Sequence, residues 1–326
     1  MKKSKYILAI LLFMLPFIHM HSQAPDTSLV NKKLRALLSE REAFSVTYMH
    51  NGSYAYHFEN DEQSGTAEIN HNYTMRFTGN LPVFMNKKKT IITTAGINVF
   101  RTWYQTGDLD ISEEFSDLED QFANTTLTND YVSITPGAIY RFKLFNKSAF
   151  LMARANFYGS DFGHISGMSF LSLLNVYLVD EKEKTFGLGL GMSRLNPNHL
   201  IFYPLITYNR IVNNNLYFNM MLPHKMHLVY SPNRNTKAKV GFYLDRFATL
   251  HEPKIDQQPV MELKDVALFN HVSYSHRLYK PIWIRGRLGH KTIFRSDFSQ
   301  MKNGEVVSNN KPFNYFMGEV TISLQF

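Results

Sequence analysis

From Phe44 onward the chain holds no continuous apolar run long enough to cross a membrane as a helix. It instead carries repeated apolar–polar alternation in segments of about ten residues, separated by turn-rich stretches. Lipid offers no partner for backbone N–H and C=O groups, so a spanning chain is either a helix or a closed barrel. If this chain enters a membrane, the pattern leaves only the barrel. The bland alternative is a large soluble β-sandwich.

Fourteen segments fit the alternation: Phe44 to His57, Ile69 to Met85, Thr90 to Trp103, Tyr131 to Leu144, Ala149 to Tyr158, Ser166 to Val179 and Thr185 to Arg194. The others are Leu200 to Arg210, Asn214 to Leu222, Lys225 to Tyr230, Lys237 to Phe247, Asp265 to Arg277, Ile282 to Phe294 and Asn314 to Phe326. Their connections sort by side. Short turns at Asn86 to Lys89, Asn146 to Ser148, Asp180 to Lys184, Val212 to Asn213, Ser231 to Thr236 and Leu278 to Pro281 share one end. The longer Gln105 to Asp130, Ala248 to Lys264 and Arg295 to Phe313 share the other, with the shorter loops at Gly159 and Asn196. Outer-membrane barrels have this asymmetry, with short periplasmic turns and long external loops. A twelve-strand count is the alternative. Merging the two weak segments around Pro223 would scatter the long loops over both ends.

Alternation also assigns faces. Val132, Ile134, Ala138, Tyr140, Phe142 and Leu144 are expected toward lipid, with Ser133, Thr135, Gly137 and Arg141 inward. Phe186, Leu188, Leu190 and Met192 oppose Gly187, Gly189 and Gly191, a glycine row that lets something pack closely inside. Aromatics at 14%, with 18 Tyr and 26 Phe, suit half-buried strands and interfacial girdles. The absence of Cys removes disulfides, thiolate metal sites, cysteine nucleophiles and a lipoprotein anchor. A net charge of +8, partly from the first few lysines, is too modest and dispersed for a nucleic-acid binder.

Lys2, Lys3 and Lys5 precede an apolar run from Tyr6 to Ile18, then small and polar residues around Ser22, Gln23 and Ala24. That order predicts a cleaved signal peptide over 1–23, too short in its apolar part to be an anchor. A short periplasmic segment, 24–42, is expected next; Asp26 or Thr27 could cap a helix through Leu29, Leu34, Leu37 and Leu38. The barrel is expected over 43–326.

The last segment is the sharpest. Phe316, Gly318, Val320, Ile322, Leu324 and Phe326 point one way, and Glu319, Thr321, Ser323 and Gln325 the other. It resembles the C-terminal targeting strand of bacterial outer-membrane barrels, whose terminal Phe, here Phe326, is read by the barrel insertion machinery. With the leader and the barrel-length remainder, the chain resembles an uncharacterised outer-membrane barrel family of Bacteroidota, a domain of unknown function. The resemblance implies the fold, the Gram-negative outer membrane and contact with its lipid; it implies no activity.

Between Arg101 and Arg141 there is no Lys or Arg, while Asp108, Asp110, Glu113, Glu114, Asp117, Glu119, Asp120 and Asp130 all occur. Ile111, Phe115, Leu118 and Phe122 recur at helical spacing, and Asp110 with Glu113 has the form of a capping box. A short acidic helix folded into the lumen would face the inward Arg141, Arg154, Arg285 and Arg287 and set a field across a constriction. A solvated external loop is the alternative. Asp108, Asp110, Ser112 and Glu119 partly match a calcium loop, but Glu113 stands where the turn wants Gly. Glu319 is expected to pair with Arg285 and Arg287 inside the lumen.

His224 and His227 are spaced so that a strand would separate their faces, which argues against zinc. His164 and Ser166 would share a face near the outer rim, as in outer-membrane phospholipases, yet no orienting partner is evident. The sequence therefore predicts a pore or transporter for small solutes or lipids, without cofactor, metal or catalytic set. A lipid acyl hydrolase and a structural or partner-binding barrel are the alternatives, and the solute is not encoded in any motif.

Overall fold

The computed structural model describes residues 42–325 apart from 60–63, 112–125, 182, 197–198, 252–260 and 301–305. All of these lie in the unit Ser39–Phe326. The expected leader, the periplasmic segment up to residue 41 and Phe326 itself lie outside the described residues. No described helix is long and apolar enough to cross a membrane.

Strands make up the wall: β1 (Glu42–Asn51), β2 (Tyr54–Glu59), β3 (Ser64–Met85), β4 (Ile91–Ile111), β5 (Thr126–Leu144), β6 (Lys147–Asp161), β7 (His164–Asp180) and β8 (Lys184–Asn196). They continue with β9 (His199–Ile211), β10 (Leu216–Leu222), β11 (Lys225–Asn233), β12 (Thr236–His251), β13 (Met261–Tyr279), β14 (Ile282–Gln300), β15 (Val306–Asn310) and β16 (Phe313–Gln325). Each pairs antiparallel with its neighbour, and the first and last strands close the ring: β1 pairs with both β16 and β3, and β2 with both β3 and β15. β1 and β2 are one wall strand interrupted at Gly52–Ser53, and β15 and β16 one interrupted at Lys311–Pro312. The protein is thus a closed antiparallel barrel of fourteen wall strands.

The sidedness expected from the loops holds. Short turns join β3 to β4, β5 to β6, β7 to β8, β9 to β10, β11 to β12 and β13 to β14 at one end. Between β5 and β6 the turn is two residues, Phe145 (φ 49) and Asn146 (φ 60), both left-handed, the geometry that matches strand twist in a tight hairpin. Pro223 and His224 form a turn between two separate short strands, as the parity argument required. At the opposite end the strands overrun the expected loops: β4 continues to Ile111, β12 to His251 and β14 to Gln300, while β5 starts at Thr126. Asp108 and Asp110 are therefore strand residues; Asp110 pairs with Thr66 of β3. This corrects the expectation of a loop from Gln105, and it removes both the capping box at Asp110 and the first and third calcium-loop places, Asp108 and Asp110. The reason is cooperative: each residue added to an existing ladder finds a ready partner, so β3 carries β4 along.

Faces follow the period of two. Leu190, Phe202, Leu288 and Phe316 point outward and are 63%, 67%, 72% and 74% exposed. The residues that alternate with them on β16, Tyr315, Met317, Glu319, Thr321 and Ser323, are buried. A face of large exposed apolar side chains on every side of a ring needs a hydrocarbon solvent, and the barrel is an outer-membrane protein. Ile134, Ala138 and Tyr140 are exposed as expected, whereas Val132, on the same face, is buried. The outward Arg101–Asp130 pair, a bidentate contact with two 2.6 Å bonds, marks the outer limit of the apolar belt on β4 and β5.

The interior is not a round hole. β5 and β12 are seven strands apart in either direction round the ring, yet their backbones approach within 8 Å at Cα. Opposite walls meet there. On the side of β1, β13, β14 and β16 the lumen is packed by Met49, Ala267, Phe269, Ile293, Phe313, Tyr315 and Met317, with Tyr54 and Tyr243 against them. Tyr54 stacks on Phe313 and Tyr315 at 5.2 and 4.8 Å.

On the other side the glycine row of β8 has its use. A Cβ on Gly191 would lie 2.1 Å from the Tyr203 ring, and one on Gly187 would meet Asn175 and Thr207 at 2.6 and 2.7 Å. Gly191→Val should therefore destabilise the refolded barrel by about 1–3 kcal/mol through overpacking. Urea unfolding should show much of that loss recovered when Tyr203→Ala is added, because the ring is what the new side chain strikes.

Candidate functional site

The inward face of β12, β13, β14 and β16 gathers a cluster of charge. Arg285, Arg287, Lys291, Glu319 and Asp245 are brought there because each sits at an inward position of a strand whose outward positions are apolar. Glu319 is opposite Arg287 in register, and its carboxylate lies 3.2 Å from that guanidinium and 3.6 Å from that of Arg285. Arg285 also binds Glu42 of β1 and donates to the Thr321 hydroxyl at 3.2 Å. Arg287 donates to the Tyr243 hydroxyl at 3.1 Å with its guanidinium over the same ring, and Lys291 lies 2.8 Å from Asp245. The Glu319 side chain is only 5% exposed, so this ladder is shielded rather than bathed in water.

Of the five lumen candidates, the structure thus brings together Arg285, Arg287 and Glu319. Arg141 and Arg154 are at inward register positions on β5 and β6, on the far side of the ring, and do not join them. Arg154 runs across Gly137, where a Cβ would touch it at 3.0 Å. In the acidic stretch, Asp108 and Asp110 have strand backbones. Glu113, Glu114 and Asp117 lie outside the described residues, as do Ser112, Glu119 and the expected helix.

Further members of the wall were not singled out from the sequence. Lys291 and Asp245 obey the same alternation as Arg285, so the period could have found them. Lys237 and Arg277 flank the buried Trp283, 4.9 and 4.7 Å from its ring, and Arg76 covers Phe100 at 5.2 Å. No local pattern announces those contacts. Basic groups on these inward faces (Arg76, Lys237, Arg277, Arg285, Arg287, Lys291) outnumber the acidic ones (Glu42, Asp245, Asp265, Glu319). Nε of Arg277 and of Arg287 is buried with no acceptor among the described residues. The wall has surplus donors and surplus positive charge.

His224 and His227 do not come together. His224 is 3.0 Å from the Tyr203 hydroxyl, and His227 faces His271 at a ring separation of 5.2 Å. That second contact spans two strands and is possible because Gly241 (φ 156) stands between them in register, where a Cβ would strike His227. No group of three or more His, Asp or Glu suited to a metal occurs among the described residues.

At the outer rim, Asp161 lies 3.0 Å from His164 Nδ1 and accepts from the Gly163 and His164 amides at 2.7 and 2.9 Å. The His164 ring first, and the Gly163 amide next, hold its carboxyl below the ordinary value. Asp161 is thus the partner that the His164–Ser166 idea lacked. Its bonds are those of a residue shaping a tight, exposed hairpin turn, and they are fully accounted for by that role.

Burial separates the ion pairs energetically. Glu319→Gln should cost about 3–5 kcal/mol in urea unfolding, because the shielded Arg287 guanidinium loses its counter-charge and Arg285 is left with Glu42 alone. Asp130→Asn, at a pair whose side chains are 54% and 45% exposed, should cost no more than about 1 kcal/mol.

No family model and no curated protein matches the chain. Among solved structures, an outer membrane channel from Pseudomonas putida F1 aligns with 9% identity over 87% of this chain and 98% of its own, at a TM-score of 0.33. A FadL homologue from Pseudomonas aeruginosa aligns with 9% identity over 87% and 90%, at 0.36. The transport unit of the autotransporter AIDA-I from Escherichia coli aligns with 9% identity over 92% and 100%, at 0.30. The fold assignment rests on the closed ladder of this chain, not on these likenesses.

Proposed function

We propose that this barrel is a narrow outer-membrane transporter that favours anionic solutes, rather than a wide general pore. The observation that carries this reading is the meeting of β5 and β12 across the lumen, which narrows the space between opposite walls at that contact. One side of that contact is packed with aromatic and apolar side chains. The surplus of Lys and Arg stands on that same side, on β3, β12, β13 and β14, and gives the path that remains a positive wall. Charged groups lining a narrow path select by sign, because few water molecules are left to screen them.

An enzyme reading has less to stand on, since the His164–Asp161 pair at the rim is spent on a turn.

Planar bilayers holding the refolded protein under a KCl gradient test it. The expected result is small conductance steps with a reversal potential on the chloride side. Lys239 shares the inward face of β12 with Lys237, opposite the buried Ser273, and Lys237→Gln with Lys239→Gln should move the permeability ratio toward the cation by about twofold or more. Large steps with no ion preference would remove both halves of the reading.

A further inference from the structure

The outward apolar face shows where the membrane lies on each strand. It runs from Phe316 to Leu324 on β16 and from Leu200 to Tyr208 on β9. On β10 the outward residues are Leu216, Phe218, Met220 and Leu222, of which only Met220 and Leu222 lie opposite the β9 belt, at Tyr208 and Ile206, before the chain turns at Pro223–His224. β10 has 7 residues and β11 has 9, beside 13 in β9 and 16 in β12. A strand needs about 9–11 residues to cross. β10 falls short of that and β11 only reaches it, and the register sets their turn beside Ile206 on β9, short of the exposed apolar Phe202 and Leu200, so the hairpin turns back inside the hydrocarbon.

Leu222 is the last β10 partner of β9, opposite Ile206, and Lys225 is the first β11 partner of β12, opposite Tyr243. One more bond, from the Leu244 amide to the His224 carbonyl, ends the contact. Beyond it, among the described residues, β9 from His199 to Leu205 pairs only with β8, and β12 from Asp245 to His251 only with β13. Two strand edges thus flank a gap in the wall at a height where Leu200 and Phe202 are still apolar and exposed. Unpaired edges are costly against lipid and are tolerated where they border a cavity or a water-filled path.

We propose that this gap is a side portal between the lumen and the outer leaflet, and that its passenger is a single-chain organic anion with an apolar tail. The tail side is written in Leu200, Phe202 and Leu222. Ile201, at an inward register position, is itself 39% exposed beside the gap. The head side is basic: Lys225 opens β11 in register with Tyr243, and Tyr243 carries Arg287 behind it. Tyr203 and His224, hydrogen-bonded at 3.0 Å, stand at the threshold. The passenger's charge rests on the transport reading above; the portal itself rests on strand length.

The chain has no cysteine, so Pro223→Cys gives one labelled position at the hairpin tip. A bimane there, in lipid vesicles, is expected to be quenched by acyl-brominated lipid; quenching by aqueous iodide alone would overturn the portal. A second measurement uses a diazirine-tailed alkyl sulfonate dissolved in the membrane. Crosslinks are expected at Ile201, Tyr203 or Lys225, and several-fold fewer when β10 and β11 are each lengthened by two residues. Labelling spread evenly round the belt, or unchanged by the longer hairpin, would also overturn it. Portal labelling together with a lumen that shows no anion preference would sink the anion-transport reading and leave the portal standing.

Discussion

Every other feature depends on the pairing of β1 with both β16 and β3. A sheet in lipid cannot tolerate a free edge, because neither backbone N–H nor C=O finds a partner in hydrocarbon. The register from Phe44–Leu324 to Asn51–Met317 on one side, and from Phe44–Gly79 to Asn51–Asn72 on the other, removes that edge and turns fourteen wall strands into a ring. Once the ring is closed, the period of two divides all side chains into those that meet lipid and those that meet one another. The exposed Val320 and Ile322 and the buried Glu319 and Thr321 are consequences of the same register.

Closure also forces the interior to solve its own electrostatics. Inward positions alternate with apolar outward ones, so charge placed on these strands has no route to bulk solvent except along the lumen. The ladder of Glu42, Arg285, Glu319 and Arg287 answers this by sharing carboxylates between guanidinium groups, and Tyr243 takes up a further donor. Beside it Phe313, Tyr315 and Tyr54 stack on one another within the apolar cluster that packs that side of the lumen. The opposite half is built from the other extreme of side-chain size. Glycines on β8 let Tyr203, Asn175 and Thr207 close in on the wall. One barrel therefore has a filled half and a thinner-walled half, and the short β10–β11 hairpin belongs to the latter.

The residues differ in how far they could be read in advance. The inward placement of Arg285, Arg287 and Glu319 follows from local alternation and from a connection of short loops that fixes register. Lys291 and Asp245 carry the same signal. The contact of His227 with His271 does not, since it requires knowing that Gly241 stands between them on the intervening strand. Asp108 and Asp110 misled because a run of acids with helically spaced apolar residues reads as a loop and a helix, while a long neighbour, β3, offers the backbone a ladder instead.

By itself the sequence determined the all-β class, the number of wall strands, the end of the barrel on which each loop falls and the face on which most side chains point. These depend on near neighbours in the chain, through the two-residue period and the length of each turn. Only the tertiary structure decided that β5 and β12 meet across the lumen, that strands climb unequally and that the wall is low at β10 and β11. Those outcomes are set by contacts between residues far apart in the chain and by the packing of large against small side chains across the ring, which no local period records.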